Sequence, residues 1–582
     1  MRLFRTLALP LLIATALVGC DFDAAKDAFE EFDLIIELEP INTVVNGIVV
    51  NNATGNLVSA ELTFSGPGAS MLIDAYSDPI TDLDAESGVV TFGIQNAVVP
   101  SEGNPVGLTV TARADGYYTT SETFELTETG DAQFTIGMTS SDVNASIMGT
   151  STGRSTNTTT DSGGAVTQAT TVTTQPTSQT SAAATVAVPQ GAVPVTATGS
   201  PLTGQLTIEL RSFDSGAGLA ALPTAARQRS DGTNQAVGGA AFFKMTDANG
   251  NVAVGAVAAS SGGAASKSSG VCTGGVQITL TSSDQILRTA YDGEVAAGRT
   301  VDARIYAFTP ADGQNNEVAS TLVETDGTGL KVDLCLGGTG DGVINTGAIG
   351  NAADGIIYSY AFGSNLTTSG TLGNQVQISG LTGAQNLRFR LTGPGMNKTA
   401  TSTRSNGTFS LGALVGASGS FDIVNAGLYT LSASYVGSNE VTSLDIASPL
   451  SGSSTLVLPS TTDLATYNFT ASLQCDDPDN QEFEVQIGRE SLDAVSAFYR
   501  IANAGDGWSV LGHSAITKKD AGPSKIEIQG TLSLKPSTLY DFRGVLGTDA
   551  SETQETTPAA APGSTTDWVV ALSTDDVGIS CK

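Results

Sequence analysis

One histidine serves all 582 residues, and it stands in Gly512-His513-Ser514-Ala515-Ile516, the segment nearest in composition to a nucleophile elbow. Such an elbow needs glycine two residues after the serine, so that the backbone can turn tightly, and Ile516 occupies that place. The histidine is spent inside the segment, so none remains to act as general base for Ser514. A turn between two strands accounts for the segment better. A single imidazole also removes multi-histidine metal chemistry. Among 58 acidic residues nothing selects a carboxylate pair for hydrolysis. The chain is therefore expected to be non-catalytic. An enzyme would need an unrecognised catalytic unit, for which only the middle region 188–337 has room.

Calcium is the cofactor to weigh against none at all. Asp476, Asp477 and Asp479 cluster beside Cys475, and Asp341 and Asp354 flank a glycine-rich loop. Either set could hold the ion with help from backbone carbonyls. Asp247-Ala248-Asn249-Gly250-Asn251 starts like a calcium loop, but Val252 stands at the glycine position and Ala258 at the closing glutamate. Asn249-Gly250, between the apolar runs 242–245 and 252–257, instead predicts a type I′ hairpin turn. The glycines of 337–342 do not make a phosphate loop, because no helical pattern follows them.

Cysteine supplies the more definite chemistry. Arg2 and Arg5 precede an apolar run over residues 7–18, too short to span a bilayer comfortably, and Leu17-Val18-Gly19-Cys20 follows. This segment resembles the lipobox of bacterial lipoproteins at every position. The resemblance implies a signal peptide over 1–19, cleavage before Cys20, and a diacylglycerol on its sulfur with acylation of the new amine. Multiple acyl chains anchor stably, at about 0.8 kcal/mol per buried CH₂. No other stretch is apolar and long enough to span, so the lipid would be the only membrane attachment.

Four cysteines remain, and an even number in an exported chain predicts two disulfides. Of three pairings, sequence neighbours are favoured: Cys272–Cys335 and Cys475–Cys581. Cys475 continues the apolar row Tyr467, Phe469, Ala471, Leu473, and Cys581 continues Val577 and Ile579, so both point into one kind of interior. Cys272 shares parity with Val276, Ile278 and Leu280, whereas Cys335 falls on the Lys331/Asp333 face. The ligands are too scattered for a metal site, and there is no Cys-x-x-Cys.

These residues must be positioned by strands. Val58, Ala60, Leu62 and Phe64 alternate with polar residues, as do Leu108, Val110 and Ala112, and Leu206, Ile208 and Leu210. Val301, Ala303 and Ile305 repeat the pattern, and so do Leu387, Phe389 and Leu391. Each is a period-2 strand with one buried and one wet face, punctuated by Gly, Asn and Asp. The fold class is all-β: several Ig-like or prealbumin-like sandwiches in tandem, joined by flexible linkers. No segment after residue 39 has helical periodicity.

The chain divides as follows. A lipidated acidic tether covers 20–42 and a first sandwich 43–140. A Ser/Thr-rich flexible stalk covers 141–187, because no charged residue occurs between Asp161 and Glu209 and little can be buried. A β domain with a disulfide covers 188–337 and a Gly-rich linker 338–355. A further sandwich covers 356–460, with a joint over 448–462, and a C-terminal sandwich covers 461–582.

Within 43–140, Gly47-Ile48-Val49, Thr54-Gly55, Val58-Ser59-Ala60-Glu61-Leu62 and the closing Ala112-Arg113-Ala114-Asp115-Gly116-Tyr117 resemble the carboxypeptidase regulatory-like module. The middle strand departs, since Ser87-Gly88 precedes residues 89–92 where an Asp-Gly turn is usual. Asn406-Gly407-Thr408-Phe409-Ser410-Leu411 is a fainter echo. The resemblance implies a prealbumin-like sandwich acting as spacer, prop or contact surface, and it implies no site residues.

The net charge of −32 repels nucleic acid and anionic lipid and keeps the chain soluble. The expected role is structural, adhesive or protein-binding in the cell envelope, with an envelope protein or a glycan as partner. The alternative is carbohydrate capture, in which Trp508 and Trp568 would stack on sugars. Asp21 after Cys20 resembles an inner-membrane retention signal, but the long stalk favours outward projection, so the outer membrane is preferred.

Overall fold

The computed structural model describes residues 41–570 apart from internal gaps, the longest being 176–183, 258–271 and 475–494. Strand makes up 58% and helix 7%, so the all-β expectation holds. The strands assemble into four two-layered units.

In the first, Thr43–Asn51 lies between Val89–Ile94, which is antiparallel to it, and Gly130–Met138, which is parallel. The opposite sheet runs Asp82–Ala85, Ala60–Ser65, Val106–Arg113, Thr120–Leu126. The alternation read from sequence fills the space between: Leu62, Leu108 and Val110 meet Val45, Phe92 and Phe134 in one apolar cluster. Gly47 is required there, because a side chain would meet the Phe134 ring at 2.4 Å.

The second unit departs from the expected boundaries. Its main sheet contains Thr150–Thr159 at one edge, then Gln205–Phe213, Val237–Thr246, Ile356–Phe362, Asp302–Thr309 and Gln314–Leu322. Thr170–Thr173 and Ala184–Val188 enter the facing sheet beside Val276–Ser282. The supposed stalk therefore supplies strands to both sheets. Its apolar residues are buried against cores built from distant sequence, Val166, Val172 and Val186 in one cluster and Val143 and Ile147 in another. Its threonines pair across strands, Thr159 with Thr167 at 2.7 Å and Thr173 with Thr185 at 3.2 Å. Low charge here marks a β-branched edge rather than a solvated chain.

The two expected joints are corrected in the same way. Within 338–355, Val343 bridges Cys335, Ile344 and Ala352 are buried in the core, and the next strand inserts into the middle of the main sheet. The linker is an internal loop of one sandwich. Ser453–Val457, within the joint at 448–462, pairs in parallel with Gln375–Ser379 and buries Leu456. A helix over Gln285–Ala296 was also not expected. It buries only Leu287 and Tyr291, too few for a helical period to stand out, and Asp284 caps it by accepting from the Ile286 and Leu287 amides.

The third sandwich sets Met396–Arg404, Gln385–Gly393, Leu428–Tyr435 and Val441–Ala447 against Gly407–Ser410, Gln375–Ser379 and Ser453–Val457. The fourth sets Thr517–Gly522, Lys525–Leu534, Ala465–Gln474 and Thr565–Val570 against Ser509–Leu511, Val495–Ile501, Leu539–Leu546 and Asp549–Thr556.

These units are not beads on a string, because the first sandwich touches all the others. Against the second, the Asn52 amide donates to the Leu222 carbonyl at 3.2 Å and the Thr119 amide to Pro310 at 3.1 Å. Against the third, Lys398 pairs with the buried Glu122 at 2.8 Å. Against the fourth, Ser496 donates to Asn46 at 2.6 Å across 450 residues of sequence. Among the described residues no helix is long and apolar enough to cross a membrane.

Candidate functional site

Cys20, Cys475, Cys581, Asp476, Asp477, Asp479 and Asp341 lie outside the described residues. Cys272 and Cys335 form a disulfide with Cα atoms 5.3 Å apart. The parity mismatch that weakened this pairing disappears because Cys272 lies in the loop before its strand and reaches the end of the neighbouring one. Among the described residues no group of three His, Cys, Asp or Glu side chains could hold a metal ion.

Asp247 is occupied structurally. Its carboxylate accepts from the amides of Asn249 at 2.9 Å and Asn251 at 3.0 Å, and from the Asn251 side chain at 2.9 Å. Burial raises its pKa, but the hydrogen bonds from Asn251 and Asn249 outweigh that and leave it below the usual carboxylate range. The turn differs from the expected type I′. Gly250 has φ +82° while Asn249 does not share a positive φ, and the Gly250 amide donates to the Asp247 carbonyl. This is a type I turn completed by a left-handed glycine.

The tryptophans are not sugar platforms. Trp568 is 4% exposed and packs edge-on against Tyr467 and Phe542 inside the fourth sandwich. Trp508 is 5% exposed and sits under the guanidinium groups of Arg500 and Arg543, 4.8 and 5.5 Å from its ring centre. Both arginines continue into the first sandwich, donating to the carbonyls of Gly55 and Ser87. Trp508 therefore seals an interface with Ile48, Val89, Phe498 and Val545. His513 belongs to the same contact face: its Nδ1 lies 2.7 Å from the Asp131 carboxylate of the first sandwich.

A concavity of about 810 Å³ lies between the first and second sandwiches. Glu61, Asp84, Glu86 and Asp115 form its wall on the first sandwich, and Glu209 and Asp354 line the second. Arg113 and Lys244 are the two cations on its lining. Asp354 thus returns as a cleft residue, exposed at the end of the loop that enters Ile356–Phe362. Strand pairing sets the charges in rows. Asp84 is opposite Glu61, and Glu61 is opposite Arg113. On the facing sandwich Glu209 is opposite Lys244 and pairs with Arg154 at 3.5 Å.

Tyr118 borders the concavity but is 1% exposed, its ring stacked on Phe242 at 5.3 Å in an apolar cluster with Phe213 and Phe308. Its hydroxyl has no hydrogen-bond partner. Burial raises its pKa strongly; the Arg211 guanidinium opposes this, and Glu209 and Asp354 add to it. The phenol is therefore neutral and keeps a proton to donate. Its neighbour Tyr117 is held at the cleft by a hydrogen bond from Asn51 at 3.1 Å. In the sequence Tyr117 stands only as the last residue of the closing segment 112–117. Nothing in a single strand's pattern distinguishes these acids from ordinary wet-face residues.

No protein-family model matches the chain, and no curated protein matches it in sequence.

Proposed function

We propose that the chain is a lipid-anchored cell-envelope protein, attached through Cys20, whose four sandwiches form a rigid non-catalytic body for protein contact. The lipobox-like segment supports the anchor, and the resemblance of 43–140 to regulatory-like modules supports a contact role. The observation that carries the reading is the closure of the first sandwich on the fourth. Ser496 to Asn46, and the paired Thr91–Gly547 hydrogen bonds of 2.7 and 2.8 Å, hold the two ends of the described chain together. A chain that fixes its ends holds surfaces in constant geometry, as a structural or docking protein needs. A flexible adhesive stalk would favour reach instead.

Expression in a Gram-negative host with labelled palmitate tests this. The wild-type chain is expected to take up label and sediment with outer membrane. The Cys20→Ser chain should stay unlabelled and uncut. Label entering Cys20→Ser would overturn the anchor.

A further inference from the structure

The first, third and fourth sandwiches are wound alike. In each, the opening strand lies between an antiparallel strand and the last strand, which runs parallel to it, and the facing sheet has four strands in the same order. The third and fourth also share Gly-Thr-x-Ser-Leu, at 407–411 and 530–534, with its threonine opposite an amide side chain, Gln377 or Asn468. In both, a tyrosine hydroxyl accepts from the amide five residues upstream, Tyr429 from Val424 and Tyr540 from Lys535. One row of the opening sheet recurs in all three. Asn46 stands between Thr91 and Gln133, Gln377 between Thr408 and Thr455, and Asn468 between Thr531 and Asp567. In the first sandwich this row is a docking surface. Thr91 and Asn46 are buried under the fourth sandwich, where Asn46 accepts from Ser496 and Thr91 from the Gly547 amide, with Ile48 packed against Trp508. In the third and fourth sandwiches the same row is exposed.

We propose that the open row of the fourth sandwich seats the third sandwich of a second copy of this chain, as the row of the first seats the fourth. The row lies in a concavity of about 620 Å³, and Val569, 75% exposed on the last strand, supplies the apolar contact that Ile48 makes in the first. The Thr531 hydroxyl reaches the Asn468 carbonyl only at 3.5 Å, so that carbonyl can take a further donor as Asn46 does. The occupant of the first row is a sheet of a like sandwich, the one that carries Ser496, and the chain itself is a source of such sandwiches. In a second copy the fourth sandwich's sheet is already closed by the first, whereas the matching sheet of the third presents exposed Arg390 and Thr399 on neighbouring strands. Arg390 complements Asp567, which ends the row. Row and sheet are different faces, so the contact is head-to-tail. The net charge of −32 on each copy opposes it at low salt, and tethering to one membrane raises the local concentration that it needs. The proposal rests on the protein-contact reading above.

Sedimentation velocity tests this on the full chain from residue 20 onward, carrying Cys20→Ser so that no lipid drives association, in about 0.15 M salt to screen the self-repulsion. A concentration-dependent oligomer is expected. Asp567→Arg and Arg390→Asp should each weaken it tenfold or more, and mixing the two variants should restore it, because each row then meets an opposite charge. Val569→Glu should weaken it several-fold. These side chains are exposed, so the melting temperature should hold. Asp115→Arg, an equal charge change at an exposed position on the first sandwich, should leave association within twofold. A chain monomeric at every concentration would overturn the proposal, as would a dimer indifferent to Asp567→Arg, the mark of copies that exchange their first sandwiches. Failure of the mixture to restore association, or equal weakening by Asp115→Arg, would do the same. So would a monomer that cellohexaose stabilises in the wild type and not in Asp567→Arg, which would give the row to a glycan. Palmitate incorporation is read separately, so failure of the row and failure of the anchor are distinguishable.

Discussion

The first sandwich meets the fourth and the second in opposite ways. At the fourth it presents Ile48 and Val89 to Phe498, Trp508 and Val545, and the polar atoms of Asn46 and Thr91 find partners in Ser496 and Gly547. At the second, the Tyr118–Phe242 stack and the Asn52 contact lie beside an open cleft walled by carboxylates. The arginines divide the same way. Arg500 and Arg543 cover Trp508 and reach backbone carbonyls across the closed junction, whereas Arg113 stands exposed among acids at the open one. One junction is built as a core and the other as a surface, although both are formed by the same small domain. Apolar packing around a buried aromatic marks the closed junction, although Trp508 Nε1 and Ser87 Oγ lack hydrogen-bond partners there. Like charges on neighbouring strands mark the open one.

Breaking the closed junction should have the largest effect. Trp508→Ala removes the ring beneath two guanidinium groups and is expected to cost about 3–5 kcal/mol. Urea unfolding of the full chain should then show the fourth sandwich melting ahead of the rest. A single unshifted transition would mean that the ring contributes little to the closure. Lys398→Ala should rank second. It leaves the buried Glu122 with Arg227 as its remaining cationic neighbour, at a cost of about 2–3 kcal/mol, less than for a fully buried pair because Lys398 retains some exposure. Glu122→Leu should cost more than Lys398→Ala, because it strands the buried Arg227 guanidinium, and urea unfolding of the two variants would show the order.

Asp247 sharpens the contrast within one sandwich, since its carboxylate accepts three hydrogen bonds whereas that of Glu209 at the cleft has an ion pair to Arg154 at 3.5 Å. Its folded-state pKa is depressed, so its stabilisation is present above the unfolded value of about 3.9 and is lost as pH falls through the lower folded value. Asp247→Ala should cost about 1 kcal/mol at pH 7. The gap to wild type in melting temperature should close below pH 4. The smallest expected effect has the opposite sign. Asp84→Asn relieves repulsion with Glu61 and should stabilise by about 0.2–0.5 kcal/mol. A loss of stability would show that Asp84 is part of the junction's structure, and the comparison of the two junctions would weaken.

The sequence by itself determined the layering. Alternation at Leu62, Leu108, Ile208 and Phe389 assigns each strand a buried face, because side-chain period 2 follows from local backbone geometry alone. It also pointed to the Cys272–Cys335 bridge, from an even number of remaining cysteines and the expectation of export. Only the tertiary structure decided which strands share a sandwich. Thr150–Thr159 reads as a stalk until Gln205–Phe213 lies beside it, and Ile356–Phe362 reads as a new domain until it inserts between strands of the old one. Trp508 reads as a free platform until the first sandwich, more than 400 residues earlier, covers it. The cleft had no signal along the chain, since Glu61, Asp84, Glu209 and Asp354 are ordinary wet-face or loop residues one at a time. Their meeting depends on strand register and on how two sandwiches pack, which long-range burial sets and no local pattern records.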